Sequence, residues 1–270
     1  MKIKLIALGI VAALVTGCAG GGSKVEPSVL EVTTFKIKTT ANSTSFIKMD
    51  AEVESQFTSK QPGFIRRQSG LNDQGEYVVL VYWKSLEDAA ASMQKFMGDP
   101  LVADYSSMIE GSTMKMARYT INKDFSASSS TFVEVMTFDT QEGTDIAAFD
   151  KINEKVETEV TAKREGFLQR ITGVNAEGKQ VVAIYWDTKV NSDAALQPFM
   201  SNPISKDFMG MMVQSSIWMG RYQTLTSLEP VAVSNKDKVV ELLNSFNTGS
   251  QEPISYINPK KYIQHNLSVP

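Results

Sequence analysis

The chain carries one pattern twice, at a fixed spacing of 103 residues. Phe35, Gly63, Phe64, Trp83, Phe96, Pro100, Arg118 and Tyr119 recur as Phe138, Gly166, Phe167, Trp186, Phe199, Pro203, Arg221 and Tyr222. About thirty of the roughly ninety paired positions are identical, and residues 30–121 align with 133–224 without an insertion. Self-similarity at this period marks a duplicated domain, since solenoid units are several-fold shorter. The architecture must therefore explain why one chain needs two copies of one fold.

Residues 1–17 read as a signal peptide and are set aside from fold reasoning. Lys2 and Lys4 precede the apolar run Leu5–Val15, which is too short to span a bilayer comfortably. The segment Leu14-Val15-Thr16-Gly17-Cys18 resembles the lipobox of bacterial lipoproteins, which implies cleavage before Cys18 and acylation of its thiol and amine. The partner so implied is membrane lipid. Each buried methylene contributes about 0.8 kcal/mol, so several acyl chains give stable anchoring. Ala19 stands where an Asp would favour inner-membrane retention. By resemblance to that sorting rule, the expected location is the outer membrane, facing the periplasm. Residues 18–27, with Gly20, Gly21, Gly22 and Ser23, form a flexible tether.

Cys18 is the only cysteine, so the folded part has no disulfide, thiolate nucleophile or cysteine metal site. Loss of Lys2 and Lys4 with the leader, which holds no acid, takes the formal net charge from −3 to −5. A mildly acidic chain without basic runs lacks the electrostatic footprint of a nucleic-acid binder.

The first domain is expected at 28–122, a polar Ser-rich linker at 123–130, and the second domain at 131–225. Each copy reads strand, helix, strand, strand, helix, strand. Strands are expected at Leu30–Lys38, Phe64–Gly70, Tyr77–Trp83 and Thr113–Ile121, and in the second copy at Phe132–Thr140, Phe167–Gly173, Gln180–Trp186 and Ser216–Thr224. The helix predicted over Thr44–Ser59 places Phe46, Met49, Val53 and Phe57 on one stripe. Its counterpart carries Phe149, Ile152, Val156 and Val160. Asn72-Asp73-Gln74-Gly75 and Asn175-Ala176-Glu177-Gly178 have hairpin-turn composition. Ser85 and Thr188 are N-cap candidates, and Pro100 and Pro203 break the second helical region in two. This βαββαβ order describes a ferredoxin-like unit. Its helices cover one sheet face, and a second unit can cover the other. The fold class is therefore α+β: two tandem ferredoxin-like repeats closing an intramolecular barrel, followed by a C-terminal helical tail.

Glu31-Val32-Thr33-Thr34-Phe35, Gln61-Pro62-Gly63-Phe64, Tyr82-Trp83 with Ser85-Leu86-Glu87-Asp88-Ala89, and Phe96-Met97-x-x-Pro100 resemble the antibiotic biosynthesis monooxygenase family. The second copy keeps Glu134-Val135, Gly166-Phe167, Tyr185-Trp186 and Phe199-Met200-x-x-Pro203. The resemblance covers about two thirds of the chain and implies the dimeric α+β barrel. It also implies, for some members, cofactor-free oxidation of electron-rich aromatic compounds by dioxygen. Fold alone does not supply the activity. At residues 231–270, Tyr256-Ile257-Asn258-Pro259-Lys260-Lys261-Tyr262-Ile263-Gln264-His265-Asn266 is similar to the opening of polyketide-cyclase-like proteins in the nuclear transport factor 2 superfamily. Those domains are far longer, so no cyclase activity is carried over.

No metal or cofactor is expected. His265 is the only histidine, no cluster has ligand spacing, and no Gly-rich nucleotide loop follows a strand. The ligand-pocket candidates are Trp83, Trp186, Arg118, Arg221, Tyr119 and Tyr222, with Arg67 and Arg170 in the second strands. Rings can stack on an aromatic molecule, and arginine can stabilise an oxyanion. The same residues can equally be core anchors and ion pairs retained from the duplication. Met209 and Met212, within Phe208–Val213, suit either a soft ligand wall or irregular core space. Replacement of Tyr105 by Phe208 and Lys115 by Trp218 shows the copies diverging. Three readings stay open: an oxygenase acting on a small aromatic or quinone-like molecule, a non-catalytic module for a small hydrophobic ligand, and a structural envelope scaffold. An enzyme needs one diverged pocket with a mouth, whereas a scaffold needs interiors filled by side chains.

Overall fold

The structure is a computed structural model that describes residues 28–127 and 129–227. Cys18, the tether and the tail lie outside the described residues. The first half comprises β1 (Val29–Ile37), α1 (Ser43–Gln56), β2 (Phe64–Leu71), β3 (Glu76–Trp83), α2 (Leu86–Phe96), α3 (Pro100–Ser107) and β4 (Ile109–Ile121). The second comprises β5 (Phe132–Phe138), α4 (Ile146–Lys155), β6 (Phe167–Val174), β7 (Gln180–Trp186), α5 (Lys189–Ser201), α6 (Pro203–Gly210) and β8 (Trp218–Ser227). No helix among the described residues is long and apolar enough to cross a membrane.

Local chemistry sets these boundaries. The Ser85 and Thr188 hydroxyls accept from the backbone N–H groups of Asp88 and Asn191, capping α2 and α5 as expected. Asp99 and Asn202 cap α3 and α6, each of which begins on its proline. Asn72 Oδ1 accepts from the N–H groups of Gln74 and Glu76, and Asn175 repeats this with Glu177 and Lys179. Two matching hairpins result. Gly63 and Gly166 have φ of 73° and 72°, the left-handed turn that aims the chain from helix to strand.

The eight strands close into one antiparallel barrel in the order β1-β3-β2-β8-β5-β7-β6-β4. The halves join by hydrogen bonding their edges, which leaves no strand edge open. The seams are unequal. Between β2 and β8, Gln68 to Leu71 pair with Ser227, Thr226, Thr224 and Gln223. Between β4 and β6 only Thr120↔Val174 and Ile121↔Gly173 pair. A glycine lies at the same repeat position in each seam. A Cβ on Gly173 would sit 2.6 Å from the Thr120 carbonyl oxygen, and one on Gly70 would sit 2.8 Å from Tyr222 Cβ. Absence of a side chain thus lets the edges close.

Side chains alternate along the strands. On β3, Val78, Leu80 and Tyr82 point into the barrel, while Tyr77, Val79, Val81 and Trp83 meet the helices. On β7, Val181, Ala183 and Tyr185 point inward, and Val182 and Trp186 outward. The interior is one core built by both halves. Neither half would enclose it alone, and that supplies the physical reason for the duplication. At its centre the hydroxyls of Tyr82 and Tyr185, one repeat apart, hydrogen bond to each other.

Two regions differ from expectation. β4 starts at Ile109 rather than near Thr113, because Lys36 and Ile37 of β1 extend the ladder to Glu110 and Ile109 past a register shift. The linker is also more than a polar connector. Phe125 packs 4.9 Å from both the Tyr82 and Tyr185 rings, with the Arg66 guanidinium 4.6 Å over its face. Gln169, the repeat counterpart of Arg66, holds the backbone around it. Its Oε1 accepts from Ser126 and Ala127 (2.7 and 3.1 Å), and its Nε2 donates to the Asp124 carbonyl (2.6 Å). The linker plugs one end of the barrel.

Candidate functional site

The sequence candidates separate onto two faces of the barrel wall. Tyr119 and Tyr222 point inward. Tyr222 donates to Glu76 Oε2 at 2.8 Å. Burial, then the charges of Glu177 and Asp139, push the Tyr119 hydroxyl up to about 12. Met212 is buried against Phe138, Phe149 and Phe208 in the second half's helix–sheet core, and Met209 is half-buried on α6. Trp83, Trp186, Arg118 and Arg221 point outward beneath α2 or α5.

The outward group in the first half forms a site. Glu31 on β1 lies directly between Val81 of β3 and Arg118 of β4 in the ladder, and Trp83 sits one row further along. Arg118 Nε donates to Glu31 Oε2 at 2.6 Å, and Nη2 reaches the Ala89 carbonyl of α2 at 3.3 Å. The Arg118 side chain keeps 21% exposure, whereas the Glu31 side chain keeps 9%. Burial raises the Glu31 pKa above its ordinary value, and Arg118 only partly opposes this. Trp83 packs edge-on against Phe64, and its buried indole N–H has no acceptor among the described residues.

The second half holds the same pair with more polar partners. Glu134 accepts from Arg221 Nε at 3.0 Å and from the Ser192 hydroxyl, and Arg221 Nη1 also pairs with Asp193 at 2.8 Å. Phe132 lies 5.3 Å below the guanidinium. The first half has Val29, Ala89 and Ala90 at the positions of Phe132, Ser192 and Asp193. Loss of the Ser192 and Asp193 partners leaves fewer competing hydrogen bonds around Arg118, although its side chain, 21% exposed, is no more open than that of Arg221, 27% exposed. The Trp186 N–H, like that of Trp83, lacks an acceptor.

A second polar group lies between α1, α3 and β2. Arg67 donates to Asp50 Oδ2 at 3.0 Å, pairs also with Asp50 Oδ1, and reaches Glu54 at 3.3 Å; Tyr105 donates to Asp50 at 2.9 Å. Burial alone would raise Asp50, but Arg67 and the hydrogen bonds outweigh it and hold the carboxyl below its usual range. Burial, with the Asp50 charge, raises the Tyr105 hydroxyl well above its usual value, so it stays a donor. These side chains are enclosed and brace helix to sheet.

Glu31, Asp50 and Glu54 were not among the sequence candidates. Their signals were a glutamate in the same apolar strand of both copies, and acids four apart on the buried stripe of α1. No group of three or more His, Cys, Asp or Glu side chains among the described residues is placed to hold a metal ion.

No protein-family model matches the chain, and no curated protein sequence matches it. Solved structures do resemble it. A protein from Fusobacterium nucleatum, provisionally assigned as a monooxygenase, has 14% identity and a TM-score of 0.56, covering 76% of this chain and 96% of its own. An anthrone oxidase-like protein gives 13% and 0.56, covering 77% and 97%. A chlorite dismutase variant from Candidatus Nitrospira defluvii gives 11% and 0.52, covering 82% and 96%. At these identities the likeness shows the fold: the α+β barrel of monooxygenase-like proteins.

Proposed function

We propose that the protein is a lipid-anchored envelope oxygenase that works without a cofactor on a small hydroxylated aromatic or quinol-type molecule. Its two halves are tandem ferredoxin-like repeats, a single-chain counterpart of a dimeric α+β barrel. The observation that carries the reading is the first-half site, where a buried carboxyl of raised pKa pairs with a partly exposed arginine, one row along the sheet from an indole whose N–H has no acceptor among the described residues. In its second-half copy the glutamate and arginine are held by further partners, Ser192 and Asp193. Glu31 has the environment of a general base, Arg118 that of an oxyanion stabiliser, and the buried Trp83 N–H is a donor without a partner among the described residues. Names among the similar folds, including the anthrone oxidase-like protein, favour the same substrate class.

In this reading Glu31 takes the proton of the substrate, and Arg118 stabilises the resulting anion. The anion passes one electron to dioxygen. The substrate radical and superoxide combine at carbon to give a peroxide. Loss of water from that peroxide converts a CH₂ into a carbonyl, with one oxygen atom retained and the other released as water. No external reductant enters the balance.

The test is oxygen uptake and product formation with anthrone- and quinol-type probes. Glu31→Gln should lower kcat/KM by about 10²–10⁴-fold, the usual contribution of a general base, while Trp186→Ala leaves it unchanged. Activity should rise with pH as Glu31 deprotonates, above the ordinary glutamate range. Equal rates for wild type and Glu31→Gln would remove the assignment. A second reading, a non-catalytic scaffold, is favoured by the barrel interior, which side chains of both halves occupy. Absence of turnover with every probe, and of any probe-dependent rise in Tm, would select it. A rise in Tm without turnover would select a binding module.

The anchor is tested separately. Cys18→Ser should move the chain from the membrane fraction to the soluble or precursor fraction of the envelope. Unchanged membrane association with no acyl mass would remove the lipoprotein assignment.

A further inference from the structure

The second half contains a buried cation that no carboxylate among the described residues touches. Arg170 on β6 is 1% exposed. It donates to the Asn153 carbonyl at 3.3 Å and to Asn153 Oδ1 at 2.6 Å, and its Nε has no acceptor among the described residues. Its repeat counterpart Arg67 is held by Asp50 and Glu54. Here Asn153 replaces Asp50. Glu157, counterpart of Glu54, lies in a widened helical turn over Val156–Val160 and pairs instead with Lys123 of the linker, at 2.6 and 2.7 Å. Phe208 replaces Tyr105 and lies 5.5 Å from the guanidinium.

An ion taken out of water without a counter-charge is strongly unfavourable, and buried charges are normally paired. Burial draws the Arg170 pKa down to about 10, with the Glu157 charge opposing, so the group stays charged at neutral pH. Beside it lies a cleft of about 180 Å³ whose walls include Asp150 and Asn153 of α4, Thr172 and Val174 of β6, and Asn122. Arg170, Thr172 and Val174 share the outward face of β6, so Arg170 lies next along that face behind the cleft-lining Thr172. Asn153 belongs to both: it lines the cleft and holds Arg170. The first half has the buried Ile47 at the position of the exposed Asp150, so the duplication has changed a packed position into an open polar one.

We propose that this cleft binds a small monovalent carboxylate, whose charge takes the role beside Arg170 that Asp50 plays beside Arg67. Entry requires only that the Asn153 amide turn toward the incoming oxygens, where its N–H groups become donors as well. Asp150 at the rim repels anions of higher charge. The cleft lies at the β4–β6 seam, Glu31 is not among its walls, and the proposal does not depend on the oxygenase reading.

The test is thermal unfolding of the full chain in sodium acetate against sodium chloride at matched ionic strength. Acetate should give a saturable rise in Tm of about 3–6 °C at ten times the half-saturating concentration. Sodium sulfate should give less. Asn153→Asp supplies the carboxylate from within the chain and should abolish the acetate response while raising Tm in chloride. Arg170→Met, titrated with acetate by calorimetry, should show no binding heat where the wild type does. A Tm set by ionic strength alone would overturn the proposal. So would an acetate response retained in either variant, or sulfate acting as strongly as acetate.

Discussion

Replacing Arg67 with leucine should cost the fold about 3–5 kcal/mol at pH 7, the usual penalty for breaking a buried ion pair from one side. Asp50 and Glu54 have side chains 4% and 5% exposed and would both lose their counter-charge. The pH dependence should change sign. In the wild type the Asp50 pKa is lowered, so its contribution is present above the ordinary carboxylate pKa and lost as pH falls through the folded value. Without Arg67 the same carboxyl is raised by burial, and the variant should lose stability as pH rises above the unfolded pKa. Urea unfolding at several pH values from about 4 to 7 reads both effects. Simultaneous replacement of Asp50, Glu54 and Arg67 by leucine should recover much of the loss. If Arg67→Leu alone cost under about 1 kcal/mol, the cluster would not be the brace described above.

Phe125→Ala should cost about 2–3 kcal/mol, below the fully buried range because the ring is only half-buried. It removes the ring that packs on Tyr82 and Tyr185 and carries the Arg66 guanidinium. Water should then reach the barrel end. Burial holds both tyrosine hydroxyls above their ordinary pKa, so alkaline absorbance titration of the variant should show a lower midpoint for this pair. A variant as stable as the wild type, with unchanged tyrosine titration, would show that the linker merely passes over the barrel.

The element order was legible because it rests on local chemistry: apolar stripes, Asn-x-x-Gly turns, Ser85 and Thr188 caps, and helix-breaking prolines. The repeat made it doubly so, since each element had to be consistent with its copy. Closure of the barrel was anticipated as a covered sheet face, but the edge pairing of β2 with β8 and β4 with β6 was not. Such long-range pairing leaves only a glycine at each seam as a trace in the sequence. The linker was misjudged on composition: six of its eight residues are polar, and Phe125 outweighs them by where its ring lies. Trp83 and Arg118 were named and lie on the same face of the sheet, yet the acid on the strand between them was missed. A glutamate inside an apolar strand reads as an interruption until its cross-strand neighbour is known. Tyr119 and Tyr222 follow Arg118 and Arg221 directly, and for that reason point to the opposite side of the wall.

Fusion of the two halves has an evolutionary corollary. In a symmetric pair of identical subunits every substitution is made twice, so a change that opens one niche opens both and its cost is doubled. Within one polypeptide, Ala90 can differ from Asp193, and Asp50 from Asn153, with each change made once. Losing the symmetry lets one repeat specialise while its partner supplies rigidity, and dilution cannot separate them.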